Sequence, residues 1–137
     1  MAITLSTDRL RGLVGVTVDN VYARIQSVTV KNYDNGGGSE GNDPMFRLLY
    51  DVTLFGSASI RNATGEYPEW RNRLESREID HMTCEVTVAQ MNADGANCYT
   101  LAYADLKTRL ASTVGPDDEN GDPTTIAPIA TNISDAV

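Results

Sequence analysis

Hydrophobic positions recur at every second residue along three stretches of the chain, which is the pattern of a half-buried β-strand. In the first stretch, Val21, Ala23 and Ile25 alternate with polar residues. The apolar positions then continue at Val28 and Val30, but on the opposite parity. A change of parity inside one strand predicts either a β-bulge or a strand that passes between two packing environments.

Two further alternating runs predict a second and a third strand. The apolar positions of the second are Phe46, Leu48, Tyr50, Val52 and Leu54, and those of the third are Met82, Cys84, Val86 and Val88. Residues 34–44 contain four glycines and no apolar side chain, so they predict a long hairpin loop between the first two strands. The sequence therefore predicts a small antiparallel β-sandwich or barrel.

One short helix is predicted on the C-terminal side of the strands. Its apolar residues recur at helical spacing on a single stripe, namely Tyr99, Ala102, Tyr103, Leu106 and Leu110. Asn97 stands at the N-cap position, and Gly115-Pro116 is expected to stop the helix. The predicted fold class is therefore mostly β with one helix.

The composition changes at residue 112, after which Pro, Asp, Thr, Asn and Gly predominate. This change predicts a β-rich body domain over residues 1–111 and an extended acidic arm over residues 112–137. Ile126, Ile129 and Ile133 lie in the arm, where they could dock on another subunit. The alternative for the same residues is a frayed tail.

The chain is acidic, with 19 Asp and Glu against 11 Lys and Arg and a formal net charge of −8. Five acidic residues follow Arg109, but no Lys or Arg does. An acidic surface repels phosphate backbones and anionic lipids, so we expect no nucleic acid and no membrane among the partners. No signal-peptide pattern opens the chain, and no apolar run reaches the roughly 20 residues of a membrane helix, so we expect synthesis without export.

The sequence gives little support to catalytic chemistry. The single histidine, His81, begins a predicted strand, and we expect the adjacent Asp80 to point to the opposite face of that strand. Asp118, Asn120 and Asp122 are spaced like calcium ligands, but the glycine and glutamate that an EF-hand requires are missing. We therefore expect no catalytic residue, no metal site and no cofactor, and a small hydrolase is the weakest of the alternatives.

Two cysteines are present, Cys84 on the apolar face of the third predicted strand and Cys98 near the helix start. A disulfide across the intervening turn stays open as an interpretation. Two reduced, buried thiols are the favoured prediction, because a chain of this size can fold without a disulfide framework.

A polar connector ahead of the third strand contains Tyr67, Trp70 and Arg71. Tyrosine, tryptophan and arginine are the residue types enriched at interface hot spots. The alternative role for Trp70 is to cap the end of the sheet. We predict these three residues as interface residues, together with the three isoleucines of the arm.

Three segments, taken in order, resemble a known class of protein. They are VDNVYARI at residues 18–25, LYDVTL at residues 49–54 and AYADLKT at residues 102–108. Over residues 13–110 this order is similar to that of small structural proteins encoded among the tail and virion genes of bacteriophages. The glycine-rich loop and the acidic arm depart from the compact form of that family, and no functional residue is carried over from it.

The resemblance implies a non-enzymatic virion protein of the tail, the baseplate, the neck or the capsid decoration, assembled in the host cytoplasm. Its expected partners are other virion proteins and copies of itself, in a homo-oligomer. The residues agree with this role, because edge strands can be completed by another copy and repeated contacts build a firm shell or tube. The alternative is a stand-alone β-sandwich module that binds a carbohydrate or a protein.

Overall fold

The computed structural model describes residues 1–13, 15–33, 45–57, 73–76 and 78–136, and strands predominate in it. The elements in these ranges are β1 (Ile3–Thr7), β2 (Val18–Tyr33), β3 (Met45–Phe55), β4 (Arg73–Leu74), β5 (His81–Thr87), α1 (Val88–Met91), α2 (Cys98–Ala111), β6 (Val114–Asp117), β7 (Pro123–Thr125) and β8 (Ala130–Asp135). The predicted fold class, mostly β with a short helix on the C-terminal side, is confirmed. The predicted glycine-rich hairpin loop, residues 34–44, lies outside the described residues.

Six of the strands form one antiparallel sheet that curls into half a barrel. The order runs β8–β1–β2–β3, and both β4 and β5 pair with the remaining edge of β3. Residues 45–51 of β3 pair with β5, whereas Leu54 and Phe55 pair with β4. β4 and β5 therefore act as one interrupted strand, and the interruption leaves a gap along this edge of the sheet.

The predicted change of face within β2 is a β-bulge. The pairing between β2 and β3 shifts register between Ile25 and Ser27, so Gln26 is an extra residue. Because side chains alternate along a strand, one extra residue returns Val28 to the core-facing side of the sheet. Val30, the next residue of this parity, lies beyond the core and is 42% exposed. Val28 indeed packs against the core, and the bulge interpretation is confirmed.

The hydrophobic core lies between the concave face of the sheet and α2. The helix contributes Ala102, Tyr103, Leu106 and Leu110, and the strands contribute Ile3, Leu5, Val21, Ala23, Ile25, Tyr50, Val52, Leu54 and Met82. Four of the five positions in the predicted helical stripe are therefore confirmed as buried. Tyr99, the fifth, is 42% exposed because it stands in the first turn of α2, at the rim of the core.

Both helices begin with a capping box. The Asn97 side chain accepts the backbone N–H of Thr100 and the Thr100 hydroxyl accepts that of Asn97, which confirms the predicted N-cap. Thr87 and Gln90 form the same reciprocal pair at the start of α1. The prediction that Val88 continues the third strand is wrong, because this local cap turns the chain into a helix despite the β-propensity of valine.

A buried tyrosine hydroxyl joins α2 to the first two strands. The last regular β1–β2 pair at this end is Ile3 with Ala23, which leaves Met1 and Ile25 facing each other one step further along. The Tyr103 hydroxyl accepts the Ile25 N–H at 2.8 Å and donates to the Met1 carbonyl at 2.7 Å. It thus takes the place of a backbone hydrogen bond where the ladder has ended.

A second buried tyrosine joins α2 to the β3–β5 part of the same core-facing side of the sheet. Tyr50 on β3 donates to the Asp105 carboxylate at 2.5 Å, and the Arg109 guanidinium lies 3.0 Å from the same oxygen. Arg109 also donates to the backbone carbonyl of Thr83 on β5. Burial and the neighbouring Asp105 both raise the pKa of Tyr50, so the hydroxyl keeps its proton and remains a donor.

The C-terminal segment contains three strands. β6 and β7 pair with each other as a hairpin, whereas β8 pairs with β1 inside the main sheet. Ala130 is buried, and the Thr7 hydroxyl donates to the Ile129 carbonyl at 2.7 Å. The predicted division between residues 1–111 and 112–137 therefore assigns one strand of the main sheet to the arm. β1, the neighbour of that strand, was not among the predicted strands.

Replacement of Tyr103 by Phe is expected to lower the free energy of unfolding by about 1–3 kcal/mol, because the buried Ile25 N–H then loses its acceptor. Tyr99→Phe is the matched control on the same helix, and it should change stability by less than about 0.5 kcal/mol because Tyr99 is exposed. Urea denaturation followed by circular dichroism measures both values. Equal stability of the two variants would contradict this role for the Tyr103 hydroxyl.

The hairpin and the last strand should differ in their effect on stability. The Ile126 N–H donates to the Thr113 carbonyl at 2.8 Å, so the two ends of the hairpin meet. Replacing residues 114–125 with an Asn-Gly turn is expected to change stability by less than about 1 kcal/mol. Deletion of residues 112–137 should cost at least about 3 kcal/mol, since β1 loses its neighbour and the buried Ala130 and half-buried Ile129 and Ile133 are lost with it.

The same denaturation experiment tests both deletions. If the chain without residues 112–137 unfolds at the same urea concentration as the chain with residues 114–125 replaced, β8 adds nothing to the stability of the sheet.

Candidate functional site

The β6–β7 hairpin pairs with no other strand in the described part of the chain. Its two strands approach closely at Gly115, where an added Cβ would lie 2.4 Å from the Thr124 hydroxyl and 2.7 Å from a methyl of Ile126. At the tip, the Asp118 carboxylate accepts the backbone N–H groups of Asn120 and Asp122, at 2.9 and 3.0 Å. The hairpin is therefore an ordered element with its own turn, although it stands apart from the main sheet.

The hairpin presents apolar side chains to the outside and acidic side chains at its tip. Val114 is 65% exposed and Ile126 is 42% exposed. The tip acids are Asp117, Asp118, Glu119 and Asp122, and none of them forms an ion pair with a described residue. Of the three residues spaced like calcium ligands, Asp118 accepts the backbone N–H groups of the other two, Asn120 and Asp122. The described residues contain no cluster of three His, Cys, Asp or Glu that could hold a metal.

The loop between β1 and β2 leaves the sheet from the same end as the hairpin. Thr7, the last residue of β1, pairs with Val18 at the start of β2 and with Ala130 at the start of β8. Leu13 in this loop is 41% exposed and Val16 is 50% exposed. We call the four side chains Leu13, Val16, Val114 and Ile126 the apolar end. They make up most of the large hydrophobic side chains that are exposed in the described residues.

A cleft of about 500 Å³ opens where the edge of the sheet is interrupted between β4 and β5. Pairing with β3 stops at Leu74, the last residue of β4, and resumes at His81, the first residue of β5. Between them, the Val52 N–H donates to the Asp80 carbonyl at 2.9 Å. The residues that line the cleft are Arg11, Gln26, Asp51, Val52, Thr53, Leu54, Leu74, Glu75, Ser76, Ile79, Asp80 and His81. Polar and charged side chains thus meet above apolar ones.

His81 lies between two carboxylates at the rim of this cleft. Its Nδ1 is 2.5 Å from Asp51 Oδ1, and its Nε2 is 3.3 Å from Asp80 Oδ2. The hydrogen bond to Asp51 raises the pKa of His81, and the charges of Asp80 and Asp51 raise it further. The same hydrogen bond lowers the pKa of Asp51. The prediction that Asp80 points away from His81 is wrong, because Asp80 precedes β5 and the alternation of a strand does not apply to it.

The geometry around His81 does not match a nucleophile and its base. Ser27 donates to Asp51 Oδ2 at 2.9 Å, so the carboxylate stands between the hydroxyl and the imidazole. A serine nucleophile requires the imidazole itself as its hydrogen-bond partner, with the carboxylate behind the imidazole. The Ser27–Asp51–His81 cluster is therefore a link between the outer faces of β2, β3 and β5.

The predicted interface residues divide into three groups. Tyr67, Trp70 and Arg71 lie outside the described residues. Ile126 is exposed on the hairpin, whereas Ile129 and Ile133 are half-buried and pack against the core of their own chain. The sequence pattern did not show which of these isoleucines are exposed and which are half-buried. Ile129 and Ile133 pack inward because β8 pairs with β1, which the local sequence does not reveal.

Sequence reasoning missed other parts of both surfaces. Val114 lies in the predicted arm but was not among the predicted interface residues, because one valine between Thr113 and Gly115 forms no periodic pattern. Leu13 and Val16 were not among the predicted interface residues either; they lie in the loop before β2, which begins at Val18. The two cysteines are free and half-buried, and burial raises the pKa of Cys84 to about 11, which keeps this thiol protonated.

Comparisons with known proteins give no family for this chain. No protein-family model, no curated protein sequence and no solved structure matches it significantly. Within the described ranges, no helix combines the length and the hydropathy needed to cross a membrane. Any function of this chain is therefore a proposal from its own sequence and structure.

The pKa of His81 is expected to lie above its ordinary value of 6.5 and to fall towards that value in Asp51→Asn. Because His81 is the single histidine, its imidazole signals report this pKa directly in an NMR titration. A raised folded-state pKa stabilises the fold below pH 6.5, and this contribution disappears as the pH rises through the raised value.

Asp94→Asn is the matched control, since Asp94 lies in the turn after α1, away from the cleft. It should leave the pKa of His81 unchanged. A pKa of His81 that is the same in the Asp51→Asn variant and in the unsubstituted protein would contradict the link between the two side chains.

Proposed function

We propose that this protein is a non-enzymatic structural protein that works by assembling with copies of itself and with other proteins. The observation that supports this most is the β6–β7 hairpin, which holds Val114 and Ile126 outside the body of the chain. Exposed apolar side chains on an ordered projection are typical of a contact surface between proteins.

The order within the hairpin favours binding. Its turn is fixed by hydrogen bonds to Asp118, and the close approach of its strands at Gly115 excludes a larger residue there. A contact surface that is already ordered loses less conformational entropy on binding than a flexible tail does. This argues for a docking element in preference to a frayed tail.

The edges of the main sheet are less suited to pairing with another chain. On β8, Asn132 has a φ of 52°, and the pairing with β1 shifts register near it, so this edge is irregular. On β5, the Arg109 guanidinium occupies the carbonyl of Thr83. Irregular or covered edges protect a sheet from unwanted pairing, which leaves the hairpin as the favoured place for an added strand.

The charge of the hairpin restricts the geometry of assembly. Four acidic residues stand at its tip, and the whole chain has a formal charge of −8. Two tips of this kind repel each other, so a contact in which the hairpin of one copy meets a different surface of the next copy is favoured. Contacts of that head-to-tail type close into rings or extend into tubes.

A bacteriophage virion is the setting that we propose for this assembly. The resemblance of residues 13–110 to small tail and virion proteins supports it. The proposed position is the tail, the baseplate, the neck or the capsid decoration, with other virion proteins as further partners. The acidic surface fits this proposal, because contacts to packaged nucleic acid would require basic residues.

The proposal predicts that the full chain is oligomeric and that the apolar end holds the oligomer together. The double variant Val114→Ser/Ile126→Ser should weaken self-association on the order of 30-fold, because each substitution removes about 1 kcal/mol of apolar burial at the contact. Sedimentation velocity over a range of protein concentrations measures the association constant.

Val30→Ser is the matched control, because Val30 is exposed to the same extent as Ile126 but lies on β2, away from the hairpin. It should leave self-association unchanged. A full chain that is monomeric at about 100 µM, a concentration well above the micromolar range of ordinary contacts, would overturn the proposal. If the double variant and the control have the same association constant, the hairpin is not the contact surface.

A further inference from the structure

A pocket of about 490 Å³ lies at the end of the sheet opposite to the β6–β7 hairpin. The hairpin projects from the end where β1 finishes with Thr7, whereas the pocket opens beyond Ile3, the first residue of β1. It lies between Met1, residues 24–26 of β2 and residues 97–100 at the start of α2, and we call it the α2 pocket. Residues 114–126 are all described and none of them lines it, so a hairpin does not fill the pocket of its own chain.

The α2 pocket has an apolar floor and an apolar rim. The buried side chains of Ile25 and Tyr103 line its floor, and Met1 and Tyr99 stand at its rim, 77% and 42% exposed. Val30 is the one further large hydrophobic side chain exposed outside the apolar end in the described residues, and it does not line the pocket. An apolar centre that is partly exposed, with polar groups around it, is typical of a contact surface between proteins.

The charge of the α2 pocket is opposite to that of the hairpin. Arg24 is the single charged side chain among the described residues that line it, so no described carboxylate does. α2 also begins here without an acidic residue in its first turn, so the positive end of its dipole is not offset by its own side chains. In a chain with a formal charge of −8, this place is therefore complementary to the four acidic residues of the hairpin tip.

We infer that the β6–β7 hairpin of one copy docks in the α2 pocket of the next copy. Val114 and Ile126 pack against the apolar rim of the pocket, and the acidic tip lies near Arg24. The inference rests on the proposed self-assembly and adds to it the surface that accepts the hairpin.

This docking mode makes every contact in the assembly head-to-tail. The hairpin and the pocket lie at opposite ends of one body, so each copy offers its hairpin to one neighbour and accepts the hairpin of another. Copies that join in this way form a ring if the rotation between them closes, and a filament if it does not.

Tyr99→Ala in the full chain should weaken self-association about tenfold, as is common when an aromatic side chain at the centre of a protein contact is truncated. Tyr99→Phe keeps the apolar ring and should associate like the unsubstituted chain. Sedimentation velocity measures the association constants, and circular dichroism verifies that each variant is folded.

Arg24→Glu should also weaken self-association, because it places a carboxylate where the acidic tip docks. Lys31→Glu is the matched control, since it makes the same change of charge on the same strand but away from the pocket. It should have little effect. If the two variants weaken association equally, the net charge of the chain is responsible and Arg24 has no part in the contact.

A mixture of two defective variants distinguishes docking in the pocket from a contact between two hairpins. Val114→Ser/Ile126→Ser keeps the pocket, and Tyr99→Ala keeps the hairpin. With each variant at about the Kd of the unsubstituted chain, either one alone should be mostly monomeric, whereas the equimolar mixture should hold roughly a third of its molecules in dimers. No larger species should form, because the hairpin and the pocket that stay free in such a dimer are the defective ones.

The outcomes separate this inference from the assembly on which it rests. An oligomeric chain in which Tyr99→Ala associates like the unsubstituted protein would overturn the docking mode and leave the assembly intact. A mixture with no more dimer than either variant alone would have the same meaning. A full chain that is monomeric would overturn the assembly, and the docking mode with it.

Discussion

A backbone N–H that is buried must find an acceptor, and in this protein that requirement fixes the helix to the sheet. β1 begins only at Ile3, which pairs with Ala23, so it offers no acceptor to the Ile25 N–H; the Tyr103 hydroxyl of α2 accepts that hydrogen bond instead. On β3, further across the same face of the sheet, Tyr50 donates a hydrogen bond to Asp105 of the same helix. The helix is thereby fixed at two points across the concave face, and the core between them closes.

Local patterns predicted the local features of this fold. The bulge at Gln26 and the cap at Asn97 follow from parity and from a side chain that can accept one N–H, and both are confirmed. β1 escaped prediction because its burial depends on β2 and on β8, which is distant along the chain. The cleft could not be predicted either, because β4 is too short for a pattern and its place is set by two pairs with β3.

The two candidate surfaces have a common origin in the places where regular pairing ends. The hairpin projects beyond the end of the sheet at Thr7, and the cleft opens where β4 stops before β5 begins. At both places polar and apolar side chains are held by ordered backbone without being covered by it. Their chemistry nevertheless differs, since Val114 and Ile126 suit a protein contact whereas the cleft is lined by charged, polar and apolar side chains together.

The pairing of β1 with β8 has a consequence for how the chain reaches this structure during translation. Thr7 and Ile129 are 122 positions apart, so the ribosome makes the first strand long before its neighbour exists. Until then one edge of β1 is open to solvent and to other nascent chains. Closing so long a loop is entropically costly, so completion of this sheet is expected to be slow and to come after synthesis of β8.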